Sequence, residues 1–374
     1  MQRVRPKRSQ ARSILILVGI VLVLGIIVYG VVTLLSPTQT TAMQAYQMPC
    51  KYDDTLKPFG PYMLYYDGGS IHCMSSMGNV RWSFPIGSNG GYDCTDQKVV
   101  AWSGNTIYIL DENGKSSYND NLGEAVQFAR IGKQYVAAVI GSTIKPRLLV
   151  KDHTGAHMDE EADAYQDLIL LDVGFYGENG KYMWTLALDV FGTAANTIMN
   201  TFEVGKSNTG EVGLGENAVY KILYENSNLR VVSTRKMHFF TYQGTEDIAS
   251  SVLVYGWKLI ASESFDRGEA LMLFAPTSQT DSQFDIRELR LIKGKQDKRY
   301  SLPDTCVGAA VWNQSLYAIS GDKIFGASLN ANRFTTYDIP LNQQVTRFIG
   351  VTSNGSVLVA CGDEVFAITL PTLV

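Results

Sequence analysis

The sequence predicts an all-β fold: a β-propeller of eight blades, with seven as the alternative count, preceded by one N-terminal transmembrane helix. Three observations lead to this prediction. The 374 residues include 34 Gly, 20 Tyr and 15 Phe and are 18% charged, a composition typical of chains rich in strands and turns. A turn pattern recurs at intervals of about 42 residues. One long apolar run lies near the N-terminus.

The apolar run extends from Ser13 to Leu35 and contains no charged residue over 23 positions. As a helix it would be about 34 Å long, enough to cross a hydrocarbon core of about 30 Å. A cleaved signal peptide would carry a shorter apolar region, of about 7 to 15 residues, and would end at a small-residue cleavage site. The run therefore predicts a retained transmembrane helix.

The flanks of this run predict its orientation. Five cations precede it, and no Lys or Arg follows it until Lys51. Under the positive-inside rule the N-terminus then lies in the cytoplasm. The five cations are Arg3, Arg5, Lys7, Arg8 and Arg12. The predicted order is a basic cytoplasmic tail over residues 1–12, the transmembrane helix over 13–35, a linker over 36–42 and an extracytoplasmic β-propeller over 43–374.

The part of the chain beyond the helix is acidic. The sequence has 32 Lys and Arg, and 27 of them remain when the five N-terminal cations are excluded. Against 36 Asp and Glu, this part of the chain has a formal charge of −9. Nucleic acids and anionic lipid surfaces select for basic patches. We therefore predict membrane contact through the N-terminal helix and no nucleic-acid partner.

A turn glycine marks the repeat. The stretches "SIHCMSSMGNVRWSF", "TIYILDENGK" and "RLLVKDHTGA" align on such a glycine, and weaker copies follow downstream. The aligned positions are Gly78, Gly114, Gly155, Gly205, Gly244, Gly294, Ala331 and Thr372. From 78 to 372 is 294 residues over seven intervals, or about 42 per unit, and four-stranded propeller blades contain about 40 to 45 residues. Two β-sandwiches would also show frequent turns, but they would not impose one period over the whole chain.

The last unit predicts how the ring closes. Its three strands, Phe348–Val351, Ser356–Ala360 and Glu364–Thr369, are followed by the end of the chain, which leaves an outer edge without a partner. Residues within about 43 to 55 belong to no repeat and contain alternating apolar positions. We predict that they supply the outer strand of the last blade. Pro49 should lie at the edge or end of that strand, because proline cannot donate to the ladder.

The first blade carries a family resemblance. The stretch "GSIHCMSSMGNVRWSFPIG" resembles the blade motif of the pyrroloquinoline-quinone-like and WD40-like propeller superfamily, in which a strand, a turn ending in Gly and a "W-S-F" strand follow in order. The layout of basic tail, single span and divergent propeller resembles a family of single-pass, membrane-anchored extracytoplasmic propellers of Gram-positive bacteria. The resemblance implies a compartment and a fold, and no activity.

Quinoprotein dehydrogenases of this superfamily use adjacent cysteines and a calcium ion, and this chain has no adjacent cysteines. Its five cysteines are scattered singly, at Cys50, Cys73, Cys94, Cys306 and Cys361. Buried free thiols are the default prediction. A bridge between Cys73 and Cys94, or between Cys306 and Cys361, stays open in an extracytoplasmic protein. We predict no cofactor.

The strongest metal-like pattern is "KDHTGAHMDEEADAYQD", in which His153 and His157 stand four residues apart among acids. On a helix both imidazoles would share one face. Here "DHTG" occupies the repeat position of "DENG" in the preceding blade, so we predict a solvated hairpin at the rim and no metal site. The sequence contains no G-x-S-x-G, H-E-x-x-H, Walker or EF-hand pattern. No catalytic, cofactor-binding or metal-binding residue is predicted.

The favoured function is a membrane-tethered interaction or scaffold module with a protein partner at the cell envelope, because the broad surface of a propeller suits docking. A ligand-binding or sensory ectodomain is the first alternative, and an envelope glycan-active enzyme is the second. A deep central pocket lined by carboxylates or histidines would favour the enzyme. An exposed apolar patch on one face would favour docking.

Overall fold

The computed structural model describes residues 43–161, 163–206, 208–264, 268–280, 285–331 and 333–373. The predicted cytoplasmic tail, transmembrane helix and linker, residues 1–42, lie outside the described residues. Among those that are described, no helix has both the length and the apolar character needed to cross a membrane.

The described residues form eight antiparallel sheets of four strands each, which confirms the all-β propeller of eight blades. In blades 1 to 7 the four strands follow in chain order, so each blade is a meander. Blades 1 to 4 contain β2–β5 (Lys57–Phe59, Tyr62–Tyr66, Ser70–Ser75, Val80–Pro85), β6–β9 (Gly90–Cys94, Lys98–Ser103, Thr106–Asp111, Ser116–Asn121), β10–β13 (Val126–Ile131, Tyr135–Ser142, Lys145–Asp152, His157–Glu161) and β14–β17 (Ile169–Tyr176, Tyr182–Asp189, Asn196–Glu203, Asn208–Gly215).

Blades 5 to 8 complete the ring. They contain β18–β21 (Val219–Glu225, Asn228–Ser233, Lys236–Thr241, Val252–Leu253), β22–β25 (Trp257–Glu263, Leu271–Pro276, Ile286–Lys293, Gln296–Cys306), β26–β29 (Gly308–Trp312, Ser315–Ile319, Lys323–Ser328, Thr335–Asp338), and β30–β32 (Arg347–Val351, Ser356–Cys361, Glu364–Thr369) with β1 (Ala45–Lys51). Within the described residues, four short 3-10 helices lie in connections, at Asp163–Tyr165, Glu178–Gly180, Ile248–Ser250 and Thr277–Gln279.

The repeat glycines share one structural position. Each of the six lies between the third and fourth strands of its blade and has a positive φ, as in Gly114 at +74° and Gly155 at +90°. A Cβ at Gly114 would also collide with the Trp82 ring of the preceding blade. That ring donates from Nε1 to the Glu112 carbonyl at 2.9 Å. The motif therefore combines a left-handed turn with close packing between neighbouring blades.

The predicted closure is confirmed. Strand β1 is the outer strand of blade 8 and pairs antiparallel with β32, with Ala45 opposite Ile368 and Lys51 opposite Glu364. The register shifts between Gln47 and Lys51, and Pro49 lies within that irregular segment. This position needs no regular ladder bond from Pro49, as expected for proline on an edge strand.

The core is divided into eight apolar clusters, one between each pair of neighbouring blades. Both sides of every sheet are therefore buried, which explains near-continuous apolar strands such as Ser356–Cys361. The cluster between blades 8 and 1 contains Met48 of β1 with Leu358 and Met74. This cluster therefore packs strand β1 against residues of both blade 8 and blade 1.

The connections lie on two opposite faces of the propeller. Because successive strands are antiparallel, turns between the second and third strands lie at the same end as the connections between blades. We call this end the top face and the other end the bottom face. The backbone bond from Thr277 N–H to Gly256 C=O, at 2.9 Å, joins two such top connections. First strands contact one another at the junctions of blades 2–3, 3–4, 6–7, 7–8 and 8–1, and so surround the axis.

Candidate functional site

Exposed apolar side chains concentrate on the top face. Among the described residues, seven of the eleven exposed large hydrophobic side chains lie at or near that face. Six of these seven belong to blades 4 and 5 or to the connection into blade 6, and we call them the apolar arc: Leu171, Val190, Phe191, Tyr220, Leu253 and Tyr255. Scattered exposed apolar residues are ordinary, whereas a concentration on one face indicates an interaction surface.

A groove of about 640 Å³ lies within this arc, between blades 5 and 6. Its aromatic lining comes from Tyr220 at the start of β18 and from Tyr255 and Trp257 at the connection into blade 6. Thr234, Lys258 and Thr277 add polar groups to the lining. Aromatic walls with a few polar groups are the usual composition of protein recognition sites.

The outer strand of blade 5 is short and lies at the top face, beside the groove. Strand β21 has 2 residues, whereas the fourth strands of the other blades have between 4 and 11. Only Lys236 and Met237 of β20 pair with it, opposite Leu253 and Val252. The outer edge of blade 5 is therefore paired at the top face and lacks a fourth-strand partner toward the bottom face. Trp257, at the start of β22, is left half-buried beside the groove.

The walls of the groove are held by defined contacts. The guanidinium groups of Arg290 and Arg299 lie over the Trp257 ring, 5.8 and 5.1 Å from its centre. Arg290 also donates to the Leu253 carbonyl at 2.9 Å and to both carboxylate oxygens of Asp297, at 2.9 and 2.7 Å. These bonds connect the third strand of blade 6 to the outer strand of blade 5. The surface is therefore organised before a partner arrives.

Tyr220 bridges the two blades on the axial side of the groove. Its hydroxyl accepts a hydrogen bond from the Leu259 N–H of β22 at 3.1 Å. Burial raises the pKa of Tyr220, and the Leu259 bond opposes that rise. The hydroxyl is therefore neutral at physiological pH, and the ring presents an uncharged aromatic edge to the groove.

A cavity near the axis of the ring contains one carboxylate in its lining. This cavity, of about 260 Å³, lies among the first strands of blades 6 to 8, with Ile260, Ile349 and Val351 in its wall. Its carboxylate is Glu263, whose pKa is raised by burial. No group of three or more His, Cys, Asp or Glu side chains suited to a metal ion occurs in the part of the chain that the structure describes.

Ion pairs between first strands use other carboxylates near the axis. Lys57 of blade 1 lies 3.4 Å from Asp93 of blade 2, and Arg130 of blade 3 lies 2.8 Å from Asp172 of blade 4. Both pairs are partly exposed, so each contributes at most about 1 kcal/mol to stability. These two ion pairs connect neighbouring blades near the axis of the ring.

The two histidines of the metal-like pattern lie where the sequence predicts. His153 is in the turn between β12 and β13, and His157 begins β13 and is exposed. The Nε2–H of His153 donates to the Gly132 carbonyl at 3.1 Å, and burial lowers the pKa of the ring. The Asp152 carboxylate accepts the backbone N–H of Thr154 and of Ala156, at 2.8 and 2.9 Å. The side chains of His153 and Asp152 therefore help to fix the conformation of the hairpin.

We expect the double substitution His153→Ala and His157→Ala to leave the metal content of the purified protein unchanged, as measured by mass spectrometry of the bound elements. Loss of the His153 bond should lower the free energy of unfolding by about 1 kcal/mol. Disappearance of a stoichiometric metal ion in the double variant would show that this hairpin is a metal site.

All five cysteines lie in the described residues and are free thiols. Three of them are buried, in agreement with the prediction of buried free thiols: Cys73, Cys306 and Cys361. The other two, Cys50 and Cys94, are half-buried. Burial raises the pKa of Cys73, Cys94 and Cys306 to about 12 and that of Cys50 to about 11. Neither of the two bridges left open by the sequence is formed.

These thiols should resist alkylation in the native protein, because the reactive species is the thiolate. At pH 8 we expect iodoacetamide to modify Cys73 and Cys306 far more slowly than it does in denaturant, where all five should react. The readout is the mass of the intact chain over time. Rapid modification of Cys73 in the folded protein would contradict the burial of that side chain.

A second cleft, of about 540 Å³, lies between blades 5 and 6 on the bottom face. It is polar and contains a buried ion pair, Arg230 with Glu225, whose side chains are 6% and 5% exposed. Arg230 donates from Nη2 and Nε to the two carboxylate oxygens at 2.9 and 3.2 Å, and from Nη1 to the Ser250 carbonyl at 2.9 Å. The N–H of Ala270 in blade 6 donates to Glu225 at 3.2 Å. The pair is thus saturated by protein groups and connects blades 5 and 6.

Comparison with known proteins gives a likeness of fold. No protein-family model and no curated protein matches the chain. Among solved structures, Sqt1 of Saccharomyces cerevisiae has a TM-score of 0.54 and 10% identity, covering 88% of this chain and 100% of Sqt1. BamB from Moraxella catarrhalis has a TM-score of 0.48 and 11% identity over 87% and 98% of the two chains. The Pan2 WD40 domain of Neurospora crassa has a TM-score of 0.47 and 8% identity, covering 85% of this chain and 97% of that domain. The chain therefore shares the β-propeller fold with Sqt1.

Proposed function

We propose that this protein is a membrane-tethered extracytoplasmic β-propeller that acts as a protein-interaction module at the cell envelope, with its partner docking on the top face at blades 4 to 6. The observation that supports the proposal is the apolar arc with its aromatic groove. Tyr, Trp and Arg are the residues that most often dominate binding energy at protein interfaces. The groove presents Tyr220, Tyr255 and Trp257, and the guanidinium groups of Arg290 and Arg299 lie over the Trp257 ring.

A protein partner suits this surface better than a small ligand does. Tyr255 is 73% exposed, so the groove is open, and the arc continues beyond it to Leu171 and Phe191 on blade 4. An extended apolar surface of this kind is covered by a macromolecule, whereas small ligands are usually enclosed. The volume of about 640 Å³ is the observation that favours the ligand-binding alternative.

The proposed tether is supported by the sequence of residues 13–35 and by its basic flank. Strand β1 runs from the bottom face, where Ala45 lies opposite Ile368, toward the top face. The chain therefore enters the propeller at the end opposite to the groove. Membership of the Gram-positive family of anchored propellers is part of the same proposal.

Site-specific photocrosslinking in intact cells tests the docking face. A photoreactive residue at Tyr255 should capture a defined protein, and the same residue at Ile248 should not. Ile248 is a matched control, since it is 72% exposed and lies in the bottom connection of blade 5. The yield of the crosslinked product from position 255 should fall when the substitution Trp257→Ala is added. Equal capture from both positions, or capture from Ile248 alone, would overturn the proposed face.

A further inference from the structure

We infer that the groove between blades 5 and 6 binds an acidic segment of the partner protein that inserts one large apolar side chain between Tyr220 and Trp257. This inference rests on the proposed docking function and names the chemistry of the partner. Two independent features of the site carry it: the sign of the charge around the groove and the shape and rigidity of its aromatic walls.

The charge around the groove is opposite to that of the molecule. Residues 43–374 carry a formal charge of −9, because 27 of the 32 Lys and Arg and all 36 Asp and Glu lie there. At the groove, however, Lys258 of the lining is exposed, and so is Arg235, next to the lining residue Thr234. Lys221 is exposed and lines the adjoining cleft between blades 4 and 5. Carboxylates on the same face include Glu216, on the connection into blade 5, and Asp285, which pairs with Arg287. Exposed cations at a groove of an acidic molecule direct and orient an acidic segment, while the rest of the molecule repels it.

The turn that carries Arg235 borders the groove. Thr234 belongs to the lining, and the Val254 N–H donates to the Arg235 carbonyl at 3.0 Å, directly before Tyr255. The backbone of Arg235 is therefore fixed next to the edge of the site. An exposed arginine on this turn has the geometry to form a bidentate pair with a carboxylate of the partner.

The aromatic walls suit one apolar anchor. Trp257 is stacked on two guanidinium groups, and Tyr220 is held by Leu259, so neither ring has to be ordered when a partner binds. An anchor side chain between them would lose its contact with water inside a rim of charged and polar groups. This arrangement of a dry centre and a polar rim is typical of interface hot spots.

Nucleic acid is a less suitable occupant for this groove. A phosphate backbone is also anionic, but its affinity depends on many phosphate contacts, and each contact adds to the salt dependence. Three cations on a molecule of charge −9 supply few such contacts. A short acidic segment with an apolar side chain uses both the rim and the aromatic walls.

Selection from a random peptide library displayed on phage, against the full-length protein, tests the inference. We expect the selected peptides to be rich in Asp and Glu around a single Trp, Phe or Leu. The affinity of a selected peptide should fall about tenfold or more with Trp257→Ala and severalfold with Arg235→Glu. Lys295→Glu, a charge reversal at an exposed position of the bottom face, should leave affinity unchanged. Binding should weaken as salt is raised.

Two further measurements keep the outcome decisive. Because Trp257→Ala removes the stacking partner of Arg290, Tyr255→Ser provides a variant at a 73% exposed position, where little folding energy depends on the side chain. Selected peptides that are neutral or basic, or that bind both variants as well as the parent, would overturn the acidic-anchor inference. So would competition by poly(U) RNA for the same site. If crosslinking from Tyr255 in cells persists in that case, the docking function stands and the chemistry assigned to the partner is wrong.

Discussion

A variant that lacks residues 43–51 should lose the cooperative unfolding transition of the propeller. The deletion removes β1, the strand that completes blade 8, and exposes the edge of β32. It also removes Met48, which is 2% exposed and packs in the cluster between blades 8 and 1. The ring would then have an open junction and an unpaired apolar edge, which is a site for aggregation.

A single substitution tests the same junction without shortening the chain. Met48→Asp should lower the free energy of unfolding by at least about 3 kcal/mol, because it removes a buried side chain and places a carboxylate in an apolar cluster. Met77→Asp is the matched control, since Met77 is exposed in the turn before β5. Urea denaturation followed by tryptophan fluorescence measures both. Equal, small effects for the two variants would show that β1 contributes little to closure.

Arg230→Ala should destabilise the protein by about 3 to 5 kcal/mol, because it leaves the carboxylate of Glu225 buried without its partner. The substitution also removes the bond to the Ser250 carbonyl and the stacking of the guanidinium over Phe239, 4.2 Å from the ring centre. Blade 5 has the shortest outer strand among the described blades, so few other contacts can compensate there.

Two comparisons separate the buried charge from general damage. Replacing both members, Arg230→Met with Glu225→Leu, should recover much of the loss, because no unpaired charge remains. Arg287→Ala removes an exposed pair with Asp285 and should change stability by less than about 1 kcal/mol. A double variant as unstable as Arg230→Ala alone would mean that packing, and not the unpaired carboxylate, causes the loss.

The sequence predicted the ring because the repeat is carried by local chemistry. Six blades have a glycine with positive φ between the third and fourth strands, so Gly205 and Gly294 identified blades whose remaining residues have diverged. The unpaired edge of the last unit and the unassigned alternating residues near 45 predicted the closure for a similar reason. Both features follow from the backbone hydrogen bonds that each strand must satisfy.

The groove could not be predicted in the same way. The outer strand beside it, β21, pairs over only 2 residues, although "SVLVYGW" reads as a longer strand. The aromatic residues of the groove are far apart in the chain, since Tyr220 and Trp257 begin first strands of successive blades. Alignment of the first strands by blade would have placed both residues on one face. The ion pairs behind them, such as Arg290 with Asp297, depend on side-chain contacts that no local pattern reports.

Amide hydrogen exchange of the full-length protein, alone and with the partner captured from Tyr255, tests the docking face most directly. If the partner occupies the groove, exchange should slow in peptides covering 218–222 and 252–258, on the top face of blades 5 and 6. Peptides covering 246–250 and 294–297, on the bottom face of the same blades, should exchange at unchanged rates. Protection confined to these bottom segments, or no protection at 252–258, would contradict docking at the groove.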